Sequence, residues 1–163
     1  MAYLKIADVC QLLNKTNYPA TQTVNGVTFT NNGDGTITVN GTATADTELL
    51  LGTLPVNKEH KLLLSGCPTG GSANTYNCYA QDNQKYRDTG SGLIYTKMLA
   101  ADASVYISIK TNYAANNLVF KPQFFDLTEM YGKGKETTKT TSFKAKFPEE
   151  LYDYSPRCWI TTL

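Results

Sequence analysis

The stretch Thr28-Phe-Thr-Asn-Asn-Gly-Asp-Gly-Thr-Ile-Thr-Val-Asn-Gly-Thr42 decides the fold class. β-Branched and aromatic residues alternate with polar ones, stop at a run that tolerates positive φ, and then resume. Asn31-Asn-Gly-Asp-Gly35 supplies what a tight hairpin connection requires. The stretch therefore reads as a hairpin, with Val24 to Thr30 and Thr36 to Thr42 as its strands. A calcium loop counted from Asn32 fails, because the position that should carry a bidentate Glu is Ala43.

The same pattern extends in the C-terminal direction. Thr47 to Thr53 and His60 to Gly66 each carry three consecutive leucines, which fits a strand buried on both sides or bent at a sandwich edge. Thr75 to Gln81 alternates, and Gln84 to Thr89 and Gly92 to Thr96 are shorter candidates. In Ser104 to Lys110, Val105, Ile107 and Ile109 point one way and Tyr106, Ser108 and Lys110 the other. Asn117 to Pro122 closes the series, Pro122 ending or edging the strand. Eight or nine short strands without intervening helices predict a mainly β chain built as an antiparallel two-sheet sandwich.

The ends read differently. Ile6, Val9, Cys10 and Leu13 have the spacing of a short amphipathic helix, although a strand joining the sandwich at Leu12-Leu13 fits as well. Asp126 to Gly132 predicts one or two helical turns, with Asp126 as the cap, Glu129 at the reciprocal position and Gly132 as the stop. Thr138 to Phe147 predicts a second helix, with Phe143 and Phe147 stacked and Pro148 ending it. The aromatic arm Glu149 to Trp159 is expected to dock onto something. The chain thus divides into an N-terminal segment (1–20), a sandwich (21–125) and a helical, aromatic tail (126–163).

Composition narrows the function. With 163 residues and 41% hydrophobic content, one well-cored domain is expected. No apolar run is long enough to span a bilayer, and Met1-Ala-Tyr-Leu-Lys-Ile6 is no secretory signal. A net charge of +1 gives no general attraction to nucleic acid or acidic membranes, and the basic patch from Lys133 to Lys146 has no Arg, while its one aromatic, Phe143, is expected to stack on Phe147. Cys10, Cys67, Cys78 and Cys158 would pair in one of three ways if oxidised, Cys67 with Cys78 fitting best. The missing secretion signal instead favours four reduced thiols. His60 is the sole histidine and there is no Cys-x-x-Cys pair, so neither a metal site nor a cofactor is expected.

In order and detail these pieces resemble a known family. Val24 to Ala43 resembles the opening hairpin of jelly-roll modules in minor structural proteins of tailed bacteriophages and prophages, modules related in outline to carbohydrate-binding modules. Leu62 to Gly71 and Asn117 to Gln123 look like their middle and final strands. Phe125-Asp-Leu-Thr-Glu-Met-Tyr-Gly-Lys-Gly-Lys-Glu136, followed by Phe143 and Phe147-Pro148, is similar to the helical tail such proteins carry after the jelly roll. The likeness spans residues 11–154. Two positions depart from the pattern: Thr137 replaces a proline and Thr141 an acidic residue, and both changes weaken the helix start. The family module commonly ends a longer tail protein. Here it starts at a methionine, which points to a small particle component in its own right.

Candidate sites are few. His60 has only Glu59 beside it in sequence, on the opposite face of the strand, and no elbow motif surrounds Ser65, Cys67 or Ser72. Asp46, Asp88, Asp102 and Glu149 sit in turns or at the ends, not paired on one concave face. No enzyme is expected. Tyr79 and Gln81 share one strand face, and with Tyr86 nearby they could seat a glycan; core or subunit packing is the plainer account of the same rings. Phe143, Phe147 and Trp159 are the candidate assembly contacts. The resemblance implies a virion structural protein made in a bacterial cytoplasm, joined to other virion proteins and self-associating, possibly as a trimer in the family's particle context. A host-surface glycan adhesin and an ancillary carbohydrate-binding domain are the alternatives.

Overall fold

The computed structural model describes residues 9–95, 102–148 and 150–155. Among them the chain is mainly β, and its strand pairs are antiparallel. The opening hairpin forms and is itself subdivided. Strand β1 (Gln22–Val24) meets β2 (Val27–Asn31) across Asn25 and Gly26, whose φ values are 50° and 82°. That two-residue turn matches strand twist, so the run expected as one strand from Val24 folds back on itself. Strand β3 (Ile37–Thr42) then pairs with β2. Between them Asp34 Oδ1 accepts from the Thr36 amide at 2.9 Å and hydroxyl at 2.6 Å, so Asp34 serves the turn. At Gly41, φ is 110° and a Cβ would run into the Gly26 carbonyl, so only glycine fits.

The remaining strands are β4 (Thr47–Pro55), β5 (Leu62–Ser65), β6 (Tyr76–Gln81), β7 (Lys85–Asp88), β8 (Leu93–Tyr95), β9 (Asp102–Ile109), β10 (Ala114–Phe120) and β11 (Gln123–Asp126). They pair in a nested series: β3 with β10, β4 with β9, β5 with β8 and β6 with β7. Three sheets result, in the orders β1-β2-β3-β10, β11-β5-β8 and β4-β9-β6-β7. Their inward side chains meet in one core, with Phe29 and Val39 from the first sheet, Leu64 and Phe124 from the second, and Cys78 and Val105 from the third. The arrangement is sandwich-like.

Strand β5 explains its leucine run. Leu62 and Leu64 enter the main core, while Leu63 faces a second cluster with Phe125, Leu127 and Phe143. Burying each such side chain is worth about 1.5–3 kcal/mol, so both faces are committed. The run in β4 is resolved the other way: Leu49 and Leu51 are buried, Leu50 is 45% exposed, and the register shifts between Leu50 and Gly52.

The N-terminal helix reading is corrected over the described residues; Ile6 lies outside them. Leu12 N–H donates to Phe124 O at 2.7 Å, Asp126 N–H to Cys10 O at 3.0 Å, and Gln11 bridges to Phe125. The open edge of β11 satisfies this backbone through one isolated bridge, so Leu12 and Leu13 lie against the sandwich without forming a strand of it, and a short 3₁₀ turn (Lys15–Asn17) follows. At the other end, α1 (Leu127–Tyr131) is capped as expected: Asp126 Oδ1 accepts from Glu129 N–H at 3.0 Å, and Gly132 ends it at φ 96°. Helix α2 (Thr140–Lys146) begins two residues later than expected, with no side-chain cap from Lys139. Thr137 and Thr141 leave that start unassisted, and the helix is held by Phe143 instead.

Candidate functional site

The three residues proposed for a glycan face are not brought together. Tyr79 pairs with Arg87 across the β6–β7 hairpin, whereas Tyr86 pairs with Ala80. Side chains alternate along a strand, so Tyr86 lies on the opposite face from Tyr79 and Gln81. There its ring sits 4.2 Å from that of Tyr95, against the core. Tyr79 is only 2% exposed. The Tyr106 ring stacks on it at 4.9 Å and the Lys85 ammonium lies 4.7 Å from its centroid, leaving no aromatic face for a sugar. Burial, with the Glu48 carboxylate beside it, pushes the Tyr79 phenol up.

The assembly candidates are also redistributed. Phe143 is 4% exposed and packs 4.8 Å from Phe125 and 5.1 Å from Phe147. It therefore works inside the protein, fastening α2 to the outer face of β5 and β11. Phe147 is half-buried at the helix end. Trp159 lies outside the described residues. The arm at 150–155 docks onto its own domain: Ser155 N–H donates to Gln11 O at 3.0 Å, Tyr152 N–H to Gln123 Oε1 at 2.8 Å, and the Tyr152 ring meets Phe125 at 6.1 Å.

One polar pairing has no forerunner in local sequence. His60 Nδ1 lies 2.7 Å from Asp126 Oδ2 and 3.9 Å from Glu129 Oε1. Asp126 is nearly inaccessible and His60 only 14% exposed at the side chain. The pair borders a cleft of about 660 Å³ between the β4–β5 connection and α1. Burial raises the Glu129 carboxyl, the Asp126 charge adds to that, and His60 opposes it. A histidine oriented by a carboxylate is the first part of an acyl-transfer triad, but among the described residues no Ser, Thr or Cys lines this cleft. The nearby Thr128 hydroxyl donates to Glu136 at 3.0 Å and accepts from Lys61 N–H at 2.9 Å. The other nucleophile candidates are elsewhere: Ser72 bonds Thr75 at 2.8 Å, and burial aided by Asp88 pushes the Cys67 thiol up to about 12. Asp126 thus acts as a clamp, one oxygen on α1 and the other on His60.

A larger groove, of about 720 Å³, runs between α2 and the side of the sandwich formed by β5, β10 and β11. Asp88, fully buried, shapes its glycine-rich wall: its carboxyl group accepts from Cys67 N–H at 3.0 Å, Gly90 N–H at 2.9 Å and Gly92 N–H at 2.8 Å. No local pattern marks this groove, because four stretches distant in sequence build it.

Compared with known proteins, the chain matches no family model and no curated protein.

Proposed function

We propose that this chain is a structural component of a tailed-bacteriophage or prophage particle: a jelly-roll module that works by protein–protein assembly and performs no chemistry. The nested pairing of β3 with β10, β4 with β9, β5 with β8 and β6 with β7 is what a hairpin rolled between two layers produces, and it supports the jelly-roll reading.

The observation that carries the functional reading is the joint after the roll. The segment that resembles the phage tail module, Asp126 to Glu136, has structural work at its key positions. Asp126 caps α1 and holds His60, Leu127 is fully buried, Thr128 ties Lys61 to Glu136, and Gly132 ends the helix. A motif engaged in holding a helical tail against a sandwich suits a building block, and the His60–Asp126 pair belongs to that same joint. Mass spectrometry of purified particles from the phage or prophage that encodes the chain tests this. The chain should be present in amounts comparable with known minor particle proteins. Its absence from particles, with the protein recovered only free in the lysate, would overturn the reading.

A further inference from the structure

Cys67 and Cys78 meet at Asp88 from two sides. Cys67 follows β5, and its N–H donates to Asp88 Oδ2 at 3.0 Å. Cys78 lies in β6 directly across from Asp88 in the β6–β7 pairing, so their side chains share the inward face. The Cys78 N–H in turn is aimed at the Cys67 sulfur. A sulfur in reach of that N–H is also near the Cys78 Cβ, because both atoms hang from one Cα. Both cysteines belong to the main core. Gly71 closes the connection over them: a Cβ there would stand 3.0 Å from the Cys67 sulfur and 2.5 Å from the Tyr76 carbonyl oxygen. The loop from Pro68 to Asn77 thus leaves one thiol and returns to the other.

We propose that Cys67 and Cys78 form a redox site, a dithiol that a small-molecule disulfide such as oxidised glutathione converts to a staple across this loop. Cys67 is the point of entry, since it lines the groove beneath α2 while Cys78 is fully buried. In the first step the Cys67 thiol gives its proton to solvent and its sulfur attacks one sulfur of the reagent. The reagent's S–S bond breaks, and one half leaves as a thiol. In the second step the Cys78 sulfur gives up its proton and displaces the other half, which forms the Cys67–Cys78 bond. The two protein thiols are oxidised, and the reagent is reduced to two thiols. Closure gives up only a weak bond from the Cys67 thiol to Pro68 O at 3.3 Å. Burial and the Asp88 charge hold the Cys67 thiol at about 12, so thiolate is scarce and exchange takes hours rather than seconds. The pair stays reduced in a thiol-rich cytoplasm and closes in an oxidising medium.

The inference does not depend on the chain being a particle component. The native protein is incubated with millimolar oxidised glutathione, alkylated, and mapped without reduction. A peptide linking Cys67 to Cys78 is expected, with a rise in Tm of about 5–10 °C that dithiothreitol reverses. Cys78→Ala should trap the glutathione adduct on Cys67 and abolish the rise. Cys67→Ser should leave Cys78 unmodified, and it covers the case in which Cys78→Ala fails to fold. Both thiols still free at the end of the incubation would overturn the assignment. So would a lasting glutathione adduct on wild-type Cys67, a link to Cys10 or Cys158 instead, a link formed only after unfolding, or a link that leaves Tm unchanged.

Discussion

Asp126 holds His60 at 2.7 Å through one carboxylate oxygen and caps α1 through the other at 3.0 Å. Two segments 66 residues apart in sequence are joined by one side chain. The two roles separate by substitution. Asp126→Asn keeps a good helix cap and gives up the charge facing His60; Asp126→Ala gives up both and leaves buried donors unsatisfied. Urea denaturation should show a loss of about 1 kcal/mol for the first and about 2–4 kcal/mol for the second. Equal losses would mean that only one of the two contacts matters.

Glu129 gives the joint a pH signature. Burial and the neighbouring Asp126 raise its folded-state pKa above 4.5, against the pull of His60. A carboxyl with a raised folded-state pKa binds its proton more tightly in the native protein. Its contribution is therefore present below 4.5 and is lost as pH rises from there through the folded value. Denaturation midpoints of the wild type and Glu129→Gln should agree near pH 4 and diverge in favour of the variant as pH rises. Parallel curves would contradict the assignment.

Phe143 belongs to the fold. Phe143→Ala should cost about 3 kcal/mol by removing the ring that α2 lays on Phe125, with an oligomeric state in sedimentation like that of the wild type. Phe147→Ala, at a half-buried position, should cost about 1 kcal/mol or less. A Phe143 variant of unchanged stability that dissociates a native oligomer would restore it as an assembly contact.

Cys67 and Cys78 are free thiols. Burial, then the Asp88 charge, pushes the first to about 12 and the second well above its ordinary value. Thiolate is the reactive form, so both should resist iodoacetamide at pH 8 in the native protein and react once it is unfolded. Peptide mapping after alkylation reads each site. Rapid native labelling at Cys78 would contradict its place in the core.

What local sequence carries, the structure repeats. Asp126 and Gly132 bound α1 because capping is decided within one turn of helix, and of the two readings of Leu62-Leu-Leu64, a strand covered on both sides or one bent at a sandwich edge, the first holds. The Asn25-Gly26 turn was hidden inside a run that reads as one strand, since Val24 and Val27 are both good β formers. Tyr86 is near Tyr79 in sequence but on the other face, because the parity of the short connection between β6 and β7 decides the face and composition does not reveal parity. The His60–Asp126 pair and the groove residues meet only through the nested strand order. No local signal could have joined them.

The central claim is that the chain is an architectural module, and an electron cryomicroscopy reconstruction of the intact particle tests it most directly. The account predicts symmetry-related copies of the sandwich in the density, each with α2 and residues 150–155 folded back on its own β5 and β11. A fully assigned particle map with no density for the chain would contradict it.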